Sequence, residues 1–140
     1  MCNVPSQCDH KEWLWIFNGD FNQAIFQFHE CIKNPFLMGR WLIFVNREKV
    51  DELWGRLQAP TVLGQLGVAI EASSKLHADL YSKKHSHVLS VYVHSSKDKA
   101  NVKKVRESLR SLGVFWKLRF IPYLDSEIGN SEGAKSIYYE

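Results

Sequence analysis

Lys75, His77, Lys83, Lys84, His85 and His87 all fall within residues 75–87. Lysine offers a point charge with three donors, and histidine offers a donor or acceptor whose charge changes near neutral pH. A phosphate or polyphosphate suits such a group. Tyr92 and His94, on an adjoining predicted strand, would line the same end of a sheet. The competing reading is a solvated polar loop. His77, His85 and His87 are conceivable zinc ligands, but Asp79 is the carboxylate at hand and no standard ligand spacing appears, so no metal is expected. The chain has no Gly-rich phosphate loop, serine nucleophile elbow or HExxH pair, and no cofactor is implied. Cys2, Cys8 and Cys31 are odd in number and lack CxxC spacing. Neither a disulfide framework nor a zinc module is expected, Cys31 is expected as a buried thiol, and the usage fits a reducing cytosol.

These side chains need a scaffold, and 140 residues suffice for one domain with a sizeable core. The net charge of +3 is a weak guide to partners. The aromatics are abundant, with five Trp, five Tyr and eight Phe, and suit pleated, half-buried surfaces. No apolar run is long enough to span a membrane, and the first residues lack a signal-peptide pattern. Residues 1–10 are expected as a flexible tail, 11–125 as the single domain, and 126–140 as a loosely held tail.

Period-two alternation predicts a first strand over Lys11 to Asn18, with Trp13, Trp15 and Phe17 on one face. Asp20 can cap a helix carrying Phe21, Ala24, Ile25, Phe28 and Ile32, which Asn34-Pro35 stops. Arg40 to Asn46 is the second strand. A helix from Arg47 to about Gln58 follows, broken at Ala59-Pro60-Thr61, with Val50, Leu53, Trp54 and Leu57 on its apolar face. Leu66 to Ser73 is a third strand, Ser74 to Ser86 a polar loop, and Val88 to His94 a fourth strand. There Val88, Ser90, Tyr92 and His94 share one face. A last helix buries Val102, Val105, Leu109 and Leu112 and ends at Gly113. It also gathers Lys97, Lys99, Lys103, Lys104, Arg106 and Arg110. Val114 to Tyr123 closes the sheet. The predicted fold is α+β, a curved antiparallel sheet with three helices packed on one face.

Gly39-Arg40-Trp41-Leu42-Ile43, followed by a helix with a late Trp54, resembles the strand and helix core of the cap-binding translation initiation factor 4E superfamily. Trp13-Leu14-Trp15-Ile16-Phe17 looks like that superfamily's Trp-rich first strand. A closer resemblance is to an offshoot of the same fold, the basophilic leukaemia expressed protein family. Its pattern matches Trp41-Leu42-Ile43, Val50-Asp51-Glu52-Leu53-Trp54, Gly64-Gln65-Leu66-Gly67, Lys75 and Leu112-Gly113. The resemblance implies the initiation factor 4E-like fold and a nucleotide-binding face. Cap binding sandwiches a methylated guanine between two rings, beside a carboxylate. The loop before Gly39 is here Asn34-Pro35-Phe36-Leu37-Met38, without Trp or Glu. Phe36 can supply one ring, and Phe21 or Phe26 another, but no complete cap sandwich is expected. The offshoot's late Tyr-Lys-Pro-Asp is replaced by Phe120-Ile121-Pro122-Tyr123-Leu124-Asp125, which lacks its positive charge.

The favoured reading is a binding protein for a phosphorylated ligand, a nucleotide or an RNA end, held on the concave sheet face by Lys75, Lys83, Lys84, Tyr92 and Phe36. The offshoot's phosphothreonine lyase label implies an alternative acting on a phosphoprotein or phosphopeptide by β-elimination. Lys75 would then be the base, needing a pKa depressed by burial or neighbouring cations. His77 or His94 would be the acid, and Arg119 or Lys117 the phosphate clamp. A third reading is an interaction module, with the basic last helix on RNA backbone or an acidic protein, or the helical face on a protein partner.

Overall fold

The computed structural model describes residues 4–17, 19, 38–82, 84–122 and 137–140. Six strands form one antiparallel sheet: β1 (Trp13–Phe17), β2 (Gly39–Val45), β3 (Ala69–Ser73), β4 (His87–Val93), β5 (Arg119–Pro122) and β6 (Tyr138–Tyr139). Their spatial order is β1-β3-β4-β2-β5-β6. Three α-helices accompany them among the described residues: α1 (Arg47–Val62), α2 (Lys75–Tyr81) and α3 (Lys99–Ser111). The architecture is the expected α+β sheet with helices.

Register assigns the two faces. Trp15 pairs with Glu71, Glu71 with Ser90, Ser90 with Leu42, and Arg40 with both Tyr92 and Ile121. These residues share one face, because side chains alternate along a strand. Trp41, Ile43, Ile70, Ala72, Leu89, Val91 and Phe120 occupy the other, and they join Val50, Leu53, Trp54 and Leu57 of α1 and Val102, Val105 and Leu109 of α3 in the main core. Trp41 and Trp54 are both core residues, as the periodicity predicts. Trp41 also donates its indole N–H to the Val102 carbonyl at 3.1 Å and meets Phe120 edge-on at 5.1 Å. That bond satisfies the one polar group of a fully buried indole.

Local chemistry explains the boundaries that differ from the pattern. α1 runs through Pro60 to Val62 rather than breaking at Ala59. The Thr61 hydroxyl, fully buried, bonds back to the Leu57 carbonyl at 2.8 Å. Residues 75–81, expected as loop, are helical. Ser74 caps them by accepting from the His77 amide at 3.2 Å, and Lys75 pairs with Asp79 one turn on at 2.9 Å. The third and fifth strands begin later than expected, at Ala69 and Arg119.

Residues near the ends are tied down. Pro5–Gln7 is a turn of 3-10 helix with Pro5 buried, and Ser6 donates from its amide (2.9 Å) and its hydroxyl to the Asp51 carboxylate of α1. Cys8 is buried and disulfide-bonded, although the number and spacing of the cysteines predict no disulfide framework. Spacing along a chain does not show which sulfurs a fold brings together. Tyr138–Tyr139 pairs with β5, with Arg119 opposite Tyr139. Cys31 and the expected helix from Asp20 to Ile32 lie outside the described residues.

Gly67 has a packing reason. A Cβ there would stand 2.3 Å from the Tyr92 carbonyl oxygen, so only glycine lets the two backbones meet. Gly113 ends α3 as expected, with φ +98, a conformation that disfavours side chains.

Candidate ligand-binding face

Arg40, Glu71, Ser90 and Tyr92 form one hydrogen-bonded group on the sheet face opposite the main core. Arg40 Nη1 donates to Glu71 Oε1 at 3.2 Å, to Ser90 Oγ at 2.9 Å and to the Tyr92 hydroxyl oxygen at 3.3 Å. The Tyr92 hydroxyl in turn donates to Glu71 Oε1 at 3.0 Å. All four residues are buried, Arg40 retaining 7% of its surface. Burial pushes the Glu71 carboxyl from 4.5 up to about 7, with Arg40 and the hydrogen bonds from Tyr92 and Ser90 opposing that rise. Burial, reinforced by Glu71, also pushes the Tyr92 hydroxyl well above its ordinary value.

One donor in this group is unsatisfied. Arg40 Nε is buried without a hydrogen-bond partner. Among the described residues Nη2 makes no hydrogen bond either, and the residue's bonds leave from Nη1. Nε and Nη2 form one edge of the guanidinium, a planar fork matched to two oxygens of a phosphate or carboxylate. Trp15 stacks on Tyr92 at 5.5 Å and on Phe17 at 5.8 Å, so aromatic surface borders the group on the β1 side. On the β5 side stands Arg119, two residues beyond the partner of Arg40, a diagonal of about 7–8 Å between Cα atoms.

Lys75, His85 and His87 build something else. Asp79 accepts from Arg47 Nη2 at 2.7 Å and Lys75 Nζ at 2.9 Å, and it holds His85 Nδ1 at 3.0 Å. Hydrogen bonds from Arg47 and Lys75 keep its carboxyl well below the usual carboxylate range. Arg47 Nε also donates to His87 Nε2 at 3.2 Å, while His87 Nδ1 lies 2.8 Å from the Ser73 carbonyl. A carbonyl only accepts, so Nδ1 carries the proton and His87 is neutral. Burial lowers its pKa in the same sense. The cluster is a clasp joining the start of α1, α2 and the turn before β4, with its cations bound to an internal carboxylate.

The sequence profile of the basophilic leukemia-expressed protein Bles03 family matches residues 8–125. The chain belongs to the Bles03 family. Two solved structures of schistosome eIF4E, complexed with 4E-BP and with m7GpppA or m7GpppG, share the fold of this Bles03-family chain. Their TM-scores are 0.59 and 0.56 at 19% identity, each match covering 76% of this chain and 61% of the eIF4E chain. This chain thus spans about three-fifths of the length of those proteins. A comparison with curated proteins gave no match.

In this Bles03-family member the expected site residues that are described do not converge. Lys75 and Lys84 sit at the end of the sheet where Ser73 Oγ accepts from the Val88 amide. Tyr92 pairs with Ala69 at the far end of the same strands, about 13 Å along β4. His77 is half-buried between Trp13 at 4.3 Å and Tyr81 at 4.7 Å, and burial lowers its pKa. His94 is exposed beyond the end of β4, against Asn101 at 3.1 Å and Asp98 at 3.6 Å. Of the residues named for the lyase, Lys75 and His77 lie together on α2, whereas His94 lies beyond the end of β4 and Arg119 on β5. The Lys75 ammonium is partly exposed and pairs with Asp79 at 2.9 Å. Phe36 and Lys83, and with them Phe21 and Phe26, lie outside the described residues. Arg40, Glu71 and Ser90 escaped the sequence reading. The available signal was a charged or polar residue inside each of three apolar strands.

Proposed function

We propose that this chain binds a phosphorylated ligand, a nucleotide or an RNA end, on the sheet face that carries Arg40. The buried, unpartnered Nε of Arg40 carries this reading. A buried donor left without a partner costs about 1–3 kcal/mol, and a phosphate oxygen would satisfy it. Trp15 and Tyr92 supply ring surface beside the fork, and Arg119 supplies a second cation. The eIF4E structures, bound to m7GpppA and m7GpppG, support a nucleotide on this fold. Cytoplasmic residence is part of this proposal, and the disulfide at Cys8 is the observation that weighs against it. Arg119 on β5 stands apart from Lys75 and His77 on α2, which supports binding over β-elimination.

Titration calorimetry with GTP, GMP, a methylated cap analogue and a phosphothreonine peptide tests the proposal. Arg40→Lys keeps the charge and removes the fork, and should weaken the best ligand about tenfold or more. Glu71→Gln removes a competing carboxylate and should strengthen it. Equal affinity in wild type and Arg40→Lys, or no binding by any of these ligands, would overturn the reading. A dehydrated product from the phosphopeptide would replace it with the lyase.

A further inference from the structure

A second surface lies along α3 and is independent of the Arg40 face. Lys99, Lys103, Arg106 and Arg110 recur at helical spacing and so form one stripe. Arg106 lies inside it, only 1% exposed. Its Nε donates to the Glu140 carbonyl at 2.6 Å, Nη1 to the Val114 carbonyl at 3.0 Å and Nη2 to the Trp116 carbonyl at 2.7 Å. A buried cation thus spends its donors on three main-chain oxygens, fixing the segment after α3 and residue 140 against the helix. Beside these anchored carbonyls, Phe115 is 75% exposed and Trp116 45%. Lys117 follows, with Nζ 5.4 Å from the ring centroid of Tyr139, which is 62% exposed on the edge strand.

Exposed rings on a rigid support are costly to leave in water and mark contact surfaces. The surroundings here say what kind of contact. Lys103 and Arg110 precede and follow Arg106 on the stripe that receives this segment, and Lys104 lies next to them. Glu107 pairs with Arg110, whereas Lys99, Lys103, Lys104 and Lys117 hold no carboxylate among the described residues. Exposed rings on a segment held against a lysine-bearing helix fit unpaired bases, which stack on the rings while their phosphates meet the cations. A purely apolar partner would leave those lysines desolvated, and an acidic helix would make no use of flat rings.

We propose that the surface formed by Phe115, Trp116, Lys117 and the exposed stripe of α3 binds single-stranded RNA without regard to its end. The probe is a short oligouridylate with a 5′ hydroxyl and a fluorescent label, followed by anisotropy. Trp116→Ala should weaken binding about tenfold or more, because base stacking on one ring is lost. Lys103→Glu should weaken it further. If about three lysines meet phosphates, raising salt from roughly 50 to 200 mM should weaken it about twentyfold. Circular dichroism should show both variants folded, since both side chains are exposed. Arg40→Lys should leave this binding unchanged, which separates it from the sheet-face proposal. The proposal is overturned if the oligonucleotide does not bind, if Trp116→Ala binds as well as wild type, or if duplex RNA or polyglutamate binds as tightly as the single strand.

Discussion

Glu71→Gln is expected to remove one component of the pH dependence of stability, of a size the structure sets. The Glu71 carboxyl holds its proton up to about 7 in the folded chain, against an ordinary 4.5. Between those values the folded chain binds more protons than the unfolded chain, so stability falls as pH rises. The contribution is fully present below 4.5 and lost as pH climbs through about 7. A gap from 4.5 to about 7, at roughly 1.4 kcal/mol per unit, gives about 3 kcal/mol. His77 and His87 act with the opposite sign. Burial lowers both from 6.5, so their contribution is present above 6.5 and lost as pH falls below it. The wild-type profile mixes these effects, and the difference between wild type and Glu71→Gln cancels the histidines. The amide oxygen of glutamine can still accept from Arg40 and Tyr92, which keeps the geometry comparable. Urea denaturation followed by Trp fluorescence, repeated from pH 4.5 to pH 8, measures the difference. The stability of wild type relative to the variant should drop by about 3 kcal/mol across that range. A difference that stays flat would show that Glu71 is ionised throughout, and that Arg40 outweighs burial.

Trp54→Ala should cost about 3–5 kcal/mol in the same denaturation assay, because the ring is buried in the core between α1 and the sheet; a variant as stable as wild type would contradict the packing of α1. Gly67→Ala should destabilise by at least about 1–3 kcal/mol, since its Cβ would meet the Tyr92 carbonyl oxygen at 2.3 Å and backbone must move. Arg47→Met should raise the pKa of His87 in an NMR titration, because the variant removes a cation that disfavours imidazolium; an unchanged titration would mean that burial alone holds His87 neutral.

The parts of the fold that were legible in sequence are those with a local period. Trp13, Trp15 and Phe17 alternate; Val50, Leu53, Trp54 and Leu57 recur at helical spacing; Ser90 and Tyr92 alternate with Leu89, Val91 and Val93. Each pattern gave the right element and the right face. The differences arose where a single contact outweighs a propensity. Pro60 signals a helix end, yet α1 runs on to Val62, and the amides of Leu63 and Gln65 still bond back to the carbonyls of Ala59 and Pro60. Residues 75–81 look polar enough for a loop, yet a Ser74 cap and the Lys75–Asp79 pair were both present to be counted.

The candidate site was hidden for a different reason. Arg40 is 31 residues from Glu71, 50 from Ser90 and 52 from Tyr92. No window of sequence contains the group, and only strand register brings it together. The Lys and His residues of 75–87, by contrast, are dense in sequence and therefore conspicuous. Density along the chain also gives such residues the means to satisfy one another. Asp79 lies among them, and three basic side chains gather on its carboxylate. A cation whose donors are all spent on internal partners has little left to offer a ligand, since displacing a partner offsets the new attraction. A charged residue set singly in an apolar strand has no such local partner and must find one across the sheet. Arg40 finds three through one nitrogen and leaves the opposite edge of its guanidinium unspent. The isolated strand arginine, rather than the crowded polar segment, is therefore the feature of this sequence that points to a ligand.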